Sequence, residues 1–432
     1  MAQLKGILSG FFVVCLLVSC TVLETADIPL LPTQTLPPPT ITLTPTITPT
    51  PEPDRYSVSG FENFIAAVTA TDRTQRQGMV NQYVINAPQI PIVSQTHAIF
   101  LWQGTPNQVD LIGDMTHWNP EKARSLTRLE NTDLWYLLAE LEPDALLDYK
   151  FLIDGETDIL DPSNLEQVPS GSGLRSLLKM PDFQLPEELT PTTAEIPAGT
   201  LKTETIDSQA LQQIRTMVVY TPAFPAQSED GKYPSVIIHD GSDYLNYIEA
   251  NAILDRLIAE QKIPPIVAIF IPPLNRYTEY ERNDDYVKFL ADEVMPFAQS
   301  NYNVSSNPAE TGTLGASMGG LISAYTALSR PETFGLVGSQ SGAVSYGSDG
   351  VIRLAQLMDP ADVRLYINVG TYETEIAGTL FEDDFVAGNN RFVEQLQARG
   401  YDYTYKIYPT GHSWGFWQAT LGEALIWMFG AP

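Results

Sequence analysis

The sequence predicts an α/β protein, with a mostly parallel central sheet covered by helices on both faces, preceded by a smaller all-β sandwich. Three observations predict it. Across residues 200–432, apolar runs of strand length alternate with longer runs at helical spacing. Residues 91–183 instead carry short β-type runs separated by turn residues. Near the middle of the C-terminal part, Gly315-Ala316-Ser317-Met318-Gly319-Gly320 stands directly between a β-type run and a helical one.

At 432 residues the chain has room for two or three domains and an ample core. Its start carries both cysteines, Cys15 and Cys20, around an apolar stretch over 7–18 that follows Lys5 and ends in Leu17-Val18-Ser19-Cys20. That stretch is short for a membrane span. It resembles a bacterial lipoprotein signal over 1–20, with Cys20 lipidated after cleavage; an uncleaved anchor is the open alternative. Cleavage leaves the mature chain with no other thiol and no disulfide, and either reading exports the rest of the chain. Within a linker over 21–54, residues 28–54 alternate Pro and Thr, as in Pro37-Pro38-Pro39-Thr40 and Thr48-Pro49-Thr50-Pro51. Such a tract cannot pack a core and favours extended polyproline II at ~3.1 Å per residue, a stalk on the order of 80 Å from the membrane.

Residues 55–90 read as a short helical cap, with Phe61, Phe64, Ile65 and Val68 on one face. Within 91–183 the strand candidates are 98–102, 109–113, 134–138 and 149–153, and Asp154-Gly155 supplies a hairpin turn. Pro and Thr return over 184–199, marking a boundary. Beyond it the reading is strand 216–220, strand 234–239, helix 246–260, strand 266–271 and helix 284–300. A β-type run over 310–314 then leads into the Gly-flanked serine, followed by helix 321–329, strands 364–369 and 403–408, and a final helix 417–429.

The formal charge of −28 argues against nucleic acid or anionic lipid as a partner, since both need clustered Lys and Arg. The Gly-flanked serine points elsewhere. In G-x-S-x-G the glycines let the backbone turn sharply from strand to helix, leaving the serine Oγ exposed at the top of a sheet. Serine acyl chemistry in an α/β-hydrolase sheet needs an acid and then a histidine downstream. Of the four histidines, His97, His117, His239 and His412, only His412 follows Ser317. It lies on the loop Tyr408-Pro409-Thr410-Gly411-His412-Ser413-Trp414. The acid belongs at a strand end between the two, where Glu373 stands, with Glu375, Asp383 and Asp384 as rivals. Two backbone N–H groups complete the set for an oxyanion: that of Met318, and that of Ser242 in Asp240-Gly241-Ser242-Asp243, which otherwise reads as an ordinary Asp-Gly turn.

Residues 199–432 resemble the esterase D and enterochelin esterase family of α/β-hydrolases, relatives of feruloyl esterases and mycolyltransferases. The matching pieces are His239-Asp240-Gly241, Asn275-Arg276 with Glu279, Glu293-Val294-Met295-Pro296, the segment 315–320, Ser339-Gln340-Ser341-Gly342, Gly370-Thr371-Tyr372-Glu373 and Gly411-His412-Ser413-Trp414. The resemblance implies Glu373 as the acid. It also implies Arg276 and Asp240 as substrate-binding residues, Arg276 steering an anionic or phenolic ester; the alternative is a surface ion pair of Arg276 with Glu279 and Glu281. Residues 97–179 resemble the immunoglobulin-like carbohydrate-binding module found beside glycogen-active enzymes. That resemblance rests on Gly113-Asp114-Met115-Thr116-His117-Trp118, Trp135, Tyr149-Lys150-Phe151 and Leu160-Asp161-Pro162-Ser163-Asn164. It implies a glycan partner stacked on Trp118 and Trp135, against two alternatives: core tryptophans, or the use enterochelin esterases make of such a sandwich, shaping the ester site.

The function expected is an exported serine esterase acting through an acyl-enzyme on a small-molecule or polysaccharide-linked ester, with no metal or cofactor. Acyl transfer to a sugar hydroxyl and a non-catalytic glycan-binding lipoprotein are the alternatives.

Overall fold

Every residue of Ser235–His239 and Val267–Ile271 is buried, so these runs have no solvent face and belong in the middle of a sheet covered on both sides. The computed structural model, which describes residues 54–358, 363–375 and 384–430, places them there. Cys20, the rest of the lipoprotein-like start and all but the last residue of the Pro/Thr tract lie outside the described residues. The eight strands are β1 (Thr200–Ser208), β2 (Gln213–Thr221), β3 (Ser235–His239), β4 (Val267–Ile271), β5 (Thr311–Ala316), β6 (Leu336–Gln340), β7 (Arg364–Gly370) and β8 (Asp402–Tyr408). Across the sheet they run β1-β2-β4-β3-β5-β6-β7-β8. The first two pairings, β1 with β2 and β2 with β4, are antiparallel, and all others are parallel.

Alternation along β4 shows how the two faces are filled. Val267, Ile269 and Ile271 pack with Tyr286, Met318 and Leu321, whereas Ala268 and Phe270 pack on the other face with Leu254, Trp417 and Leu425. Each fully buried Ile or Phe contributes about 1.5–3 kcal/mol, which is why a period of two in burial pins the strand's orientation. Parallel pairing also gathers the C-terminal ends of β3, β5, β6, β7 and β8 at one edge, where their loops can share a site.

Several elements depart from the sequence reading. Strand β1 and strand β6 are additional to those expected. The helix expected over 246–260 is two helices, Gly241–Ile248 and Ala250–Ala259, separated at Glu249 by a left-handed residue with φ 51°. The helix expected over 284–300 holds a wide π-type turn, Phe289–Val294, between Asp284–Lys288 and Met295–Tyr302. Pro296, near the start of the last piece, has no N–H to continue the regular ladder.

Ahead of this body stand two antiparallel sheets. Ala98, Phe100, Leu111, Tyr149 and Phe151 fill the space between them. The intervening residues of the strand His97–Gln103, Ile99 and Leu101, point the other way and pack with Phe61, Phe64, Val68, Val80 and Tyr83. Those five come from a pair of helices, Val58–Ala70 and Arg73–Ile85, where the sequence suggested one cap. The break falls at Asp72, whose side chain accepts from Thr74 N and caps the second helix. Trp135 is only 6% exposed and sits in the core between the sheets, which corrects its reading as a sugar-stacking surface. The stretch 184–199 is fastened along the α/β body, through Lys262 Nζ to Glu187 at 2.8 Å and Arg256 Nη1 to the Thr190 carbonyl at 2.5 Å. Among the described residues no helix is long and apolar enough to cross a membrane.

Candidate active site

Ser317 occupies the bend between β5 and the helix Met318–Ser329 with φ 58° and ψ −120°, a conformation that costs a non-glycine residue on the order of 1–3 kcal/mol. The surrounding backbone holds it there. Ser317 N donates to the Gln340 carbonyl at 2.9 Å, and the Ser317 carbonyl accepts from Ala343 N at 3.0 Å and Leu321 N at 3.1 Å. The flanking glycines are needed because strand and helix nearly touch: a Cβ on Gly315 would lie 2.7 Å from the Gly319 carbonyl. Gln340 is itself fixed, accepting from Tyr244 Oη at 2.8 Å and donating to the Trp417 carbonyl and Thr420 Oγ1.

Two strands further along the same edge, the loop after β7 carries Glu373, which is fully buried. Its Oε1 accepts from Ser341 Oγ and from Gly370 N, both at 2.7 Å, and its Oε2 lies 2.7 Å from Nδ1 of His412. Ser341 Oγ in turn accepts from Trp417 Nε1 at 2.9 Å. The imidazole is held edge-on between Phe385 and Trp417, with ring centroids at 4.9 and 5.0 Å. With Nδ1–H directed at the carboxylate, the neutral ring keeps its lone pair on Nε2. Among the described residues Ser317 Oγ makes no hydrogen bond, to His412 or to any other group; catalytic hydrogen bonds often tighten only once substrate is bound. The rivals of Glu373 are engaged elsewhere. Glu375 pairs with Lys122 at 2.5 Å on the surface, Asp384 caps the helix Phe385–Arg399 by accepting from Ala387 N, and Asp383 lies outside the described residues.

Met318 begins its helix, so its N–H belongs to the first turn that has no intrahelical acceptor. Ser242 is the second residue of the helix Gly241–Ile248, exposed and in the same situation. The two helix starts adjoin, since a Cβ on Gly319 would meet Asp240 Oδ2 at 3.1 Å. Gly241 is required by packing: a side chain there would overlap the backbone of Phe270 and Ile271 in β4.

Arg276 and Asp240 form a pair that the sequence reading missed. Arg276 Nε and Nη2 donate to Oδ1 and Oδ2 of Asp240, both at 2.9 Å, and Nη2 also reaches the Ala316 carbonyl at 3.1 Å. Asp240 is 2% exposed and has both oxygens committed, so its expected role as a substrate contact is corrected to that of a clamp. Arg276 is likewise engaged, and neither Glu279 nor Glu281 is its partner. Glu279 instead pairs with the buried Arg215 at 3.0 Å. His239 beside them is fully buried, and that burial, helped by the Arg276 charge, holds its pKa down to about 3, so it stays neutral. No group of three or more His, Cys, Asp or Glu placed to hold a metal occurs among the described residues.

Residues 208–428 match the family model described as "Putative esterase". The chain belongs to this esterase family. Its members' chemistry makes it a carboxylic ester hydrolase, and its fold is that of the enterochelin esterase-like α/β-hydrolases. "Uncharacterized protein YbbA" of Bacillus subtilis is 32% identical over 177 residues, 37% of this chain and 69% of that protein. The "Iron(III) enterobactin esterase" of Dickeya dadantii is 25% identical over 370 residues, 73% of this chain and 82% of that protein. The crystal structure of "Ferric Enterobactin Esterase (fes)" from Salmonella typhimurium superposes with a TM-score of 0.67 at 20% identity, covering 77% of this chain and 93% of that one.

In this esterase the sandwich reaches both loops of the site. Leu146 N donates to the Pro409 carbonyl at 3.1 Å, His117 Nδ1 lies 3.2 Å from the Tyr372 carbonyl, and Tyr372 Oη donates to Glu142 at 2.5 Å. Between sandwich and body lies a cavity of about 310 Å³, lined by His117, Trp118 and Arg175 on one side and His412, Trp414 and Trp417 on the other. Trp118 lines this cavity, with the Arg175 guanidinium 3.9 Å from the centre of its ring. Sequence reasoning met Ser341 inside the motif Ser339-Gln340-Ser341-Gly342 and Trp417 at the start of the final helix, but gave neither a role. Their support of Glu373 depends on β6 lying beside β7, which no local pattern encodes.

Proposed function

We propose that this esterase works through Ser317 as nucleophile, His412 as base and Glu373 as the acid behind it. The observation that carries the reading is the 2.7 Å approach of Glu373 Oε2 to His412 Nδ1, at the same sheet edge as the strained Ser317. His412 Nε2 removes the Ser317 Oγ proton as Oγ bonds to the ester carbonyl carbon, and the negative oxygen rests against the amides of Met318 and Ser242. Collapse breaks the bond to the alcohol, which leaves with the proton from His412. A water molecule then gives a proton to His412 as it attacks the acyl carbon, and His412 returns that proton to Ser317 Oγ as the acyl bond to Oγ breaks, releasing the acid and the free serine. Glu373 keeps the tautomer and stabilises the imidazolium.

The substrate is a small-molecule or polysaccharide-linked ester in the cavity beside His412, its groups packed on Trp118, Trp414 and Trp417. Likeness to iron(III) enterobactin esterases supports an ester of the enterobactin kind as the first to test. The enzyme acts outside the cytoplasm, held to the membrane by lipid on Cys20. Hydrolysis of p-nitrophenyl acetate by Ser317→Ala at the parental rate would overturn the mechanism. Labelled palmitate that enters Cys20→Ser as it enters the parental chain would overturn the anchor.

A further inference from the structure

Gly411, one residue before His412, is packed so closely on the sandwich that a side chain there would overlap the carboxyl group of Asp114. Asp114 is 3% exposed, and its own contacts are complete. Its Oδ2 accepts from Asp148 N at 2.6 Å and its Oδ1 from Trp118 Nε1 at 2.8 Å. Behind it lies Asp148, also buried, with Arg175 Nη1 at 3.6 Å from Oδ2. Burial raises both carboxyls above the ordinary aspartate range, and Arg175 offsets part of that effect. Such a group is costly to bury, and in the sandwich alone a hydrophobic side chain would fill the space more cheaply. Its position against the histidine loop gives it a use.

We propose that Asp114 is a positioning residue for catalysis: its carboxyl is a wall that fixes Gly411, and through Gly411 the height of the His412 imidazole above Ser317. This rests on the Ser317–His412–Glu373 mechanism. An imidazole needs hydrogen-bond reach of the hydroxyl it deprotonates, and misplacement by about 1 Å can cost about a hundredfold in rate. The hydrogen bonds to Asp148 N and the Trp118 indole keep the carboxyl from rotating away. Asp114 also lines the cavity beside His412, but p-nitrophenyl acetate is too small to fill that cavity, so with this ester the effect of the wall on the loop falls on turnover.

The test uses the full chain and p-nitrophenyl acetate, an ester too small to depend on the groove, with rates normalised to the serines labelled by a fluorophosphonate probe. Asp114→Ala is expected to lower kcat about tenfold or more with KM within about twofold. Gly411→Ala is expected to lower kcat by clash, and the double variant Asp114→Ala/Gly411→Ala to regain most of that loss, because the added methyl group occupies the vacated space. Coupling of this sign is what a merely structural residue would not give. Parental kcat per labelled site in Asp114→Ala, or losses that simply multiply in the double variant, overturn the proposal. If Asp114→Ala is not recovered folded, Asp114→Asn keeps the wall, and its combination with Gly411→Ala must then show no recovery; recovery overturns the proposal. Ser317→Ala distinguishes the two levels: activity retained there refutes the mechanism, whereas activity lost there and retained in Asp114→Ala refutes the wall alone.

Discussion

Arg276 closes on Asp240 through two parallel N–H···O bonds of 2.9 Å, and the same guanidinium holds the carbonyl of Ala316, the residue before the nucleophile. The pair therefore ties the turn after β3 to the bend after β5. Arg276→Met would leave Asp240 buried without its counter-ion, and we expect a loss of about 3 kcal/mol in urea unfolding. Arg276→Lys should recover little of it, because an ammonium cannot form the planar fork.

Glu373→Gln should lower kcat by roughly 10²–10⁴, since the amide can present its NH₂ to His412 and favour the wrong tautomer. Glu375→Gln, which removes only a surface pair with Lys122, should stay within about twofold. Initial rates on p-nitrophenyl acetate distinguish the two, and equal losses would remove Glu373 from its assigned place.

His239 gives the fold an acid-side weakness. Its pKa is held down to about 3 in the folded chain against an ordinary value of 6.5, so the unfolded state binds the proton first as pH falls. Stability from this group is complete above pH 6.5 and is lost between 6.5 and about 3, by up to ~1.4 kcal/mol per pH unit. Urea unfolding at a series of pH values should show this slope, and His239→Gln should flatten it.

Gly241→Ala would push a methyl group into the backbone of Phe270 and Ile271. Overpacking of this kind costs about 1–3 kcal/mol, and relief by moving the turn would displace the Ser242 amide. Both a lower melting temperature and a lower kcat are expected; an unchanged kcat would take Ser242 out of the oxyanion assignment.

How far the sequence led depends on how local each signal was. Strands β3 and β4 were legible because their residues are uniformly apolar, as doubly covered strands must be. Strand β6 carries Gly338, where a Cβ would lie 2.7 Å from Leu314 Cδ1, so close packing selected a residue with poor strand propensity and masked the signal. Strand β1 is a mostly exposed edge strand with Lys202 and Glu204 and lacks an apolar run. At the proposed site, Ser317 and His412 could be picked from chain order and loop position, whereas Glu373 was set apart from Glu375, Asp383 and Asp384 only by the family resemblance. The partner of Arg276 could not, because nearby Glu279 and Glu281 drew the expectation while Asp240 stands 36 residues back. Trp135 was ambiguous for a related reason: an aromatic residue on a strand does not reveal which face is covered.

The grip of the sandwich on the loops of the site also orders events in folding. His117 and the Tyr372 carbonyl that it meets are 255 positions apart, and Leu146 and Pro409 are separated by more than half the chain. Contacts of such range close only after the intervening sheet has formed, because the entropy of so long a loop must be overcome first. During renaturation the far-ultraviolet signal of strands and helices should therefore return ahead of turnover, and the first hydrolysed ester would mark a molecule whose two halves have already docked.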